Sequence, residues 1–285
     1  MLRRTLVGLA LALAVLVPGT AAAADRSADI AALQVGLRAR GFYAGDVDGV
    51  PGAGTARGVR ALQRRARLRV DGVPGPHTRR ALGWHGRHPY GTRALRHGAR
   101  GWDVAALQFK LAWHGFPSGP MDGALGVRTI AALVHFQQRA GLRADGVAGA
   151  ATFRALRAPA PVAGRLLRRP IAAPSGDRFG PRGNRFHAGL DFPAPTGTPV
   201  VAAAGGTVVF AGYAGGWGLN VVVDHGGCLS TRYAHLSSAA VATGVTVASG
   251  QLVGRVGMTG HATGPHLHFE VIACGADVDP ATALP

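Results

Sequence analysis

At 285 residues the chain is too long for one small core and fits two or three domains of roughly 100 to 200 residues each. Its net charge of +17 rests almost wholly on arginine, with Lys110 the only lysine; this attracts polyanions, but no aromatic-interleaved basic motif points to nucleic acid, and none is expected as a partner. Two cysteines are too few for a closed, thiolate-rich structural metal site.

The first residues, MLRRTLVGLALALAVLVPGTAAAAD, combine Arg3 and Arg4, an apolar run from Leu6 to Val17 and an Ala-x-Ala site ending at Ala24. This predicts a secretory signal peptide over residues 1–24. The apolar run falls short of the roughly 20 residues that span a bilayer, so no stable membrane span is expected after cleavage. The chain is therefore expected to be secreted, extracellular or cell-wall associated, where polyanions are wall polymers and lipid head groups. In such an oxidising compartment Cys228 and Cys274 favour a single disulfide over a reactive thiol pair, though sequence does not show whether their Cβ atoms approach closely enough.

The stretch DIAALQVGLRARGFYAGDVDGVPGAGT, from Asp29, aligns without a gap with DVAALQFKLAWHGFPSGPMDGALGVRT, from Asp103, and the match continues to Leu82 and Leu156. This is a duplicated unit, placed at residues 29–84 and 101–157. In the first copy Ile30, Leu33 and Leu37 recur at helical spacing, and Gly41 sits where a helix would end. A turn at Asp48-Gly49 leads to a second periodic segment through Val59, Leu62 and Ala66. A loop at Asp71-Gly72 then leads to a short third helix near His77 to Leu82. The Asp-Gly pairs read as turn chemistry rather than as ligands. Each copy is thus a small three-helix α module. The pattern LQ…L…GF…DG…G…T…ALQ resembles the type 1 peptidoglycan-binding domain in both copies, which implies a noncatalytic anchor whose partners are peptidoglycan and anionic wall polymers.

Residues 158–176 are rich in Pro and Ala with scattered Arg and predict an extended, partly stiff tether. A tether would let one domain grip a solid substrate while the other searches nearby. From residue 177 to 283 the periodicity changes to short β-branched or aromatic runs such as TPVVAAAGGTVVFAGYA, GLNVVVDHGG and HLHFEVI, which predict an antiparallel all-β domain.

That domain carries the chemistry. His266 and His268 are two apart on a predicted strand and share a face. Upstream, RFHAGLDF holds His187 and Asp191, with Gly189 between them allowing an unusual backbone path. His187, Asp191 and one of the two HLH histidines would make a two-nitrogen, one-oxygen set with an open fourth position, which suits catalytic Zn2+. By the same alternation Tyr233 and His235 in TRYAHLS share a face. Glu270 falls on the face of His266 and His268, either orienting a ligand imidazole or making a structural hydrogen bond. His225 in DHGG reads as structural, His261 as shaping the turn before the strand, and the histidines of the first half as surface or packing residues.

Together, H-x3-D, Y-A-H-L and T-G-P-H-L-H-F-E on an exported β domain closely resemble the M23 family of zinc metallopeptidases, the LytM and lysostaphin type. By matching position the resemblance implies one zinc held by His187, Asp191 and His268, with His235 and His266 as catalytic histidines whose roles stay undivided and Tyr233 as a further hydrogen bond to the oxyanion. The short GPRGNRFH segment differs from the longer insertion common in the family and leaves open a role for Asn184. The expected activity is a secreted zinc endopeptidase acting on peptide bonds of peptidoglycan, monomeric and wall-anchored. The alternatives are a noncatalytic LytM-type regulator of wall amidases and a broader secreted protease.

Overall fold

A computed structural model of the chain describes residues 26–164 and 166–285. The expected signal peptide lies outside the described residues. Among them, no helix is long and apolar enough to cross a membrane.

Helix α1, Ala28–Ala39, begins where Ser27 accepts the amide of Ile30 and Asp29 occupies the first turn, and its C-terminal end is followed by Gly41 at φ +75°. Helices α2, Ala53–Arg65, and α3, Pro76–Ala81, complete the first module. Helices α4, Trp102–Trp113, α5, Val127–Arg139, and α6, Ala150–Ala155, repeat the pattern. α1 and α4 pack against each other and share a core containing Leu33, Leu37, Trp102, Ala105 and Phe109. A second core gathers Leu107, Leu111, Leu133, Phe136 and Phe153.

Each Asp-Gly turn is held by a buried glutamine. Gln34 accepts the Gly49 amide at 2.9 Å and donates to Asp48 at 2.6 Å and Thr55 at 3.2 Å. Gln108 does the same with Gly123, Asp122 and Thr129. Gln63 and Gln137 repeat the knot at the second turn of each module, with Gly72, Asp71, Thr78 and with Gly146, Asp145, Thr152. In all four the aspartate also accepts the backbone amide two residues on, so its carboxylate is used in turn geometry.

The remaining residues form the all-β domain. Its strands are β1 Gly180–Arg182, β2 Arg185–His187, β3 Leu190–Pro193, β4 Pro199–Val201, β5 Gly206–Ala214 and β6 Gly218–Asp224. They continue with β7 Leu229–Ala234, β8 Leu236–Ala239, β9 Thr246–Val247, β10 Leu252–Val256, β11 His266–Ala273 and β12 Ala276–Val278. The larger sheet runs β12-β11-β7-β6-β5-β9, with β3 also paired to β11; β4-β10-β8 form a second sheet and β1-β2 a hairpin. Every pairing is antiparallel. Val208, Val221, Val223, Leu236, Val253, Leu267, Phe269 and Val271 fill the core. Cys228 and Cys274 are disulfide-bonded, tying the turn before β7 to the turn after β11.

The segment expected to be a tether is in part packed. Leu167 and Ile171 are buried in the β core, and the backbone is bonded from Leu167 to Ala283, from Arg168 to Ala203 and from Val201 back to Pro170. Apolar side chains between the prolines find a hydrophobic surface, and that burial outweighs the preference of a Pro-rich stretch for extension. The modules also touch the β domain directly. The turn of the β1-β2 hairpin lies between them: Gly183 exchanges hydrogen bonds with Asp46 and Val47, and the carbonyl of Asn184 accepts the amide of Met121. Beside it Trp113 packs on Phe179 and Phe186.

Candidate metal centre

Strand register assembles the site. In the β3-β11 ladder Asp191 lies opposite His268, so the two side chains rise from one face as direct cross-strand neighbours. Strand β2 ends at His187, four residues before Asp191. Gly189 between them is needed for close approach rather than for an unusual backbone path, since its φ is not positive: a Cβ there would lie 2.5 Å from the Phe269 carbonyl oxygen and 2.8 Å from the His268 ring.

His187, Asp191 and His268 are buried and bring three ligand atoms together. His187 Nε2 lies 3.0 Å from Asp191 Oδ1 and 2.9 Å from His268 Nδ1, and His268 Nδ1 lies 2.8 Å from Asp191 Oδ1. The outer atoms fix the tautomers. His187 Nδ1 donates to the carbonyl of Arg178 at 2.9 Å, and His268 Nε2 donates to Glu270 at 3.1 Å. In the neutral rings the inner nitrogens are then bare lone pairs facing a carboxylate oxygen. Three converging acceptors with no donor between them suit a cation, and two imidazoles with one carboxylate suit Zn2+. The same imbalance acts on protons. Burial alone would lower the His268 pKa, but Asp191 and Glu270 push it up to about 9. Asp191 is buried too, yet His187 and His268, in the forms that carry a proton on the inner nitrogen, hold it well below the usual carboxylate range.

Supporting groups surround the triad. Arg182 donates to Asp191 Oδ2 at 3.0 Å. Glu270 accepts from Trp217 Nε1 at 2.7 Å and from Arg232 at 2.6 Å, and the Arg232 guanidinium stacks over the Trp217 ring. Glu270 therefore fixes the orientation of the His268 ring as well as being a buried hydrogen-bonding group. Sequence pattern alone did not single out Trp217, Arg232 or Arg182. Arg232 could have been found by extending the alternation of β7, where it stands opposite Glu270 in the ladder.

His235 and His266 complete the site with ring centroids 4.8 Å apart. His235 Nδ1 donates to the Thr259 carbonyl at 2.7 Å and His266 Nδ1 to the Gly264 carbonyl at 2.8 Å, which leaves Nε2 of each ring free of a proton in the neutral form. His266 Nε2 is 3.8 Å from Asp191 Oδ1. Burial, aided by the neighbouring histidines, lowers the His235 pKa.

Tyr233 departs from the expectation. It is fully buried in the core, and its hydroxyl accepts from the Ala203 amide at 2.7 Å and the Thr231 hydroxyl at 2.8 Å. Alternation fails between Tyr233 and His235 because β7 ends at Ala234 and His235 adopts φ +59°, which turns its side chain away from the core. His261, expected only to shape a turn, lines the cleft, whereas Asn184 lies outside it at the module junction. His225 bonds to Gly205 and Thr231 and is structural. In the first half His85 and His114 are buried and His77, His88, His97 and His135 exposed. The cleft over the triad has a volume of about 830 Å3, roomy enough for a peptide segment.

Residues 185–280 match the family described as Peptidase family M23, and residues 26–82 and 100–156 match a putative peptidoglycan binding domain. A DD-carboxypeptidase/endopeptidase Mpg of Neisseria meningitidis is 45% identical over 118 residues, 40% of this chain and 27% of the relative. The peptidoglycan DD-endopeptidase ShyA of Vibrio cholerae is 45% identical over 100 residues, 34% of this chain and 23% of the relative. The chain thus spans about a quarter of the length of these curated relatives. A solved catalytic domain of the antimicrobial peptidase lysostaphin from Staphylococcus simulans is 34% identical, covering 38% of this chain and 90% of that one, with a TM-score of 0.37.

Proposed function

From a chain whose residues 185–280 belong to peptidase family M23, behind two peptidoglycan binding domains, we propose an exported zinc endopeptidase that hydrolyses peptide bonds of bacterial peptidoglycan. In this reading residues 1–24 are the signal peptide, 29–84 and 101–157 the wall-binding modules, 158–176 the connection and 177–283 the peptidase domain. The observation that carries it is the meeting of three acceptor atoms from His187, Asp191 and His268 beneath a cleft that His235 and His266 also line.

His187 Nε2, His268 Nδ1 and Asp191 Oδ1 would hold one zinc ion. When bound, zinc supplies a Lewis acid that polarises the scissile carbonyl and acidifies the attacking water. In the neutral rings, hydrogen bonds to Glu270 and to the Arg178 carbonyl place the proton on the outer nitrogen and leave the inner one for the metal. His235 and His266, each anchored through Nδ1, offer Nε2 to the reaction. One accepts the proton of the attacking water as its oxygen bonds to the carbonyl carbon. The C–N bond then breaks and the leaving amine takes that proton back from the imidazolium so formed, while the other ring, when it carries a proton on Nε2, donates a hydrogen bond to the oxyanion.

The test uses the chain without residues 1–24 on purified cell walls. The expected result is stoichiometric zinc and soluble fragments with new amino termini, identified by mass spectrometry. Chelation or His268→Ala should abolish the fragments, and full activity after either would overturn the reading. A noncatalytic regulator would instead arrive without stoichiometric metal and release nothing by itself, and a broad protease would cut unrelated proteins as fast as wall peptides.

A further inference from the structure

The cleft is lined by three carboxylates, and each is already engaged. Asp191 bonds His187, His268 and Arg182, Asp177 bonds Arg182 at 2.9 Å, and Glu270 takes His268, Trp217 and Arg232. Of the two arginines in the lining, Arg182 is shared between Asp177 and Asp191. The Arg185 side chain has no acidic or hydrogen-bonding partner among the described residues, its backbone pairing with Arg182 in the hairpin. It stands on β2 two positions before His187, so both side chains leave the same face of the strand. Between them Phe186 is held by Trp113 and Phe179, which fixes the strand that carries the arginine.

An unpaired arginine on an open surface is ordinary. Here it is the cleft's one unspent arginine charge, on the wall of a concave site beside the groups that would do the chemistry. Gly119 of the second helical module borders the same cleft, and the exposed Arg128 lies against it, its side chain 3.5 Å from where a Cβ on Gly119 would be. The positive field at this rim is therefore built from two modules.

We propose that Arg185 binds a carboxylate of the peptide being cut, forming an anionic subsite next to the metal centre, with Arg128 adding charge from the helical module. This rests on the peptidase reading above and specifies its substrate: a peptide that bears a free carboxylate near the scissile bond. The guanidinium fork matches a carboxylate through two parallel charge-assisted hydrogen bonds, whereas a carboxamide offers one acceptor and turns its own donors toward the arginine. The carboxylate could be a side chain or a chain terminus.

The experiment uses the full chain without residues 1–24, loaded with zinc, and a synthetic cross-linked wall-type peptide in three forms: free acid, C-terminal carboxamide and side-chain carboxamide. KM and kcat are measured by chromatography of products, and binding by fluorescence anisotropy of the labelled peptides. The wild-type chain should favour the acid over one amide form by about tenfold or more, carried in KM and in binding, the order expected for a charge-assisted pair. The form that loses affinity identifies the source of the carboxylate. Arg185→Gln should abolish that preference, Arg185→Lys should keep part of it, and Arg128→Gln should reduce it by about twofold. An Arg185→Gln chain that still prefers the acid as the wild type does, or a wild type indifferent to all three forms, overturns the proposal. If none of the forms is cut but Arg185-dependent binding of the acid persists, the subsite stands and the endopeptidase reading falls.

Discussion

Gln34, Gln63, Gln108 and Gln137 in the helical modules are buried with each polar neighbour matched: a glycine amide meets the glutamine carbonyl, and the glutamine amide meets an aspartate and a threonine. His187, Asp191 and His268 in the β domain are nearly as buried, and their outer atoms are matched in the same way, but their inner atoms are three acceptors turned on one another. Both clusters bury polar groups, and of the two only the triad leaves its donors and acceptors unequal. Balanced burial builds a turn, whereas unbalanced burial calls for something the chain does not itself supply. The comparison also explains why four aspartates beside glycines, conspicuous in the sequence, are not ligand candidates while a single aspartate at 191 is.

The largest effect is expected from correcting the imbalance. Asp191→Asn places an N–H donor among the three acceptors, so the triad can satisfy itself. The variant should fold, bind less than a tenth of an equivalent of zinc, and lose at least about 10³-fold in hydrolysis of wall peptides, a loss at the scale of the groups that stabilise the reacting centre. Zinc analysis of a variant that purifies with full metal would break the comparison. The converse change unbalances a balanced knot. Gln108→Leu strands the Gly123 amide and the Thr129 hydroxyl, leaving the exposed Asp122 carboxylate to the Ala124 amide and water, and should destabilise the second module by about 3 kcal/mol in urea unfolding, taking roughly 1 to 3 kcal/mol for each stranded group. A loss within 0.5 kcal/mol, the size of an ordinary surface change, would mean the knot is incidental.

How far the sequence reaches follows from the same two regions. The spacing of His266 and His268 on one strand is local, so a period of two was enough to put them on one face, whereas the meeting of His187 and Asp191 with them followed only from the family resemblance, because it depends on the β3-β11 register. Tyr233 and His235 obey the same spacing and yet diverge, because one left-handed residue at a strand end resets which side faces the core, and nothing in the letters TRYAHLS marks it. The glutamine knots escaped for a different reason. Their bonds join residues up to 21 positions apart through a helix and a turn, and the repeat announces that these residues matter without saying how. Packing of the modules on the β1-β2 hairpin is more remote still: the Gly183 to Asp46 bond spans 137 positions.

A smaller effect should come from the outer ring of the metal centre, where the Glu270 carboxylate is met by donors from Trp217, Arg232 and His268. Trp217→Phe removes one donor from Glu270 while leaving Arg232 and His268 in place. Zinc affinity, read by competition with a chromophoric chelator, should fall about tenfold, at the low end for an outer-shell partner. A variant that binds zinc as the wild type does would place Trp217 outside the matched set and confine its role to the cleft lip.

The smallest effect tests burial of a titratable ring on the balanced side. His114 is buried in the second module with Nε2 donating to the Leu156 carbonyl at 3.2 Å, and burial, aided by Lys110 and Arg139, lowers its pKa from the ordinary 6.5 despite that bond. Because the folded-state pKa lies below the unfolded one, the unfolded chain binds the extra proton first as pH falls. The contribution of His114 is therefore fully present above about pH 6.5 and is lost as the pH drops toward the folded-state pKa. In His114→Gln the amide can still donate to Leu156 but cannot titrate. Urea unfolding at pH 7.5 and 5.5 should show the wild type losing more stability between the two than the variant does, and equal losses would mean that the ring takes up its proton in place. His85, also buried and with its pKa lowered chiefly by burial, should behave alike in the first module, so the double variant should flatten the acid limb further while leaving the neutral-pH cleavage profile of the β domain to its own histidines.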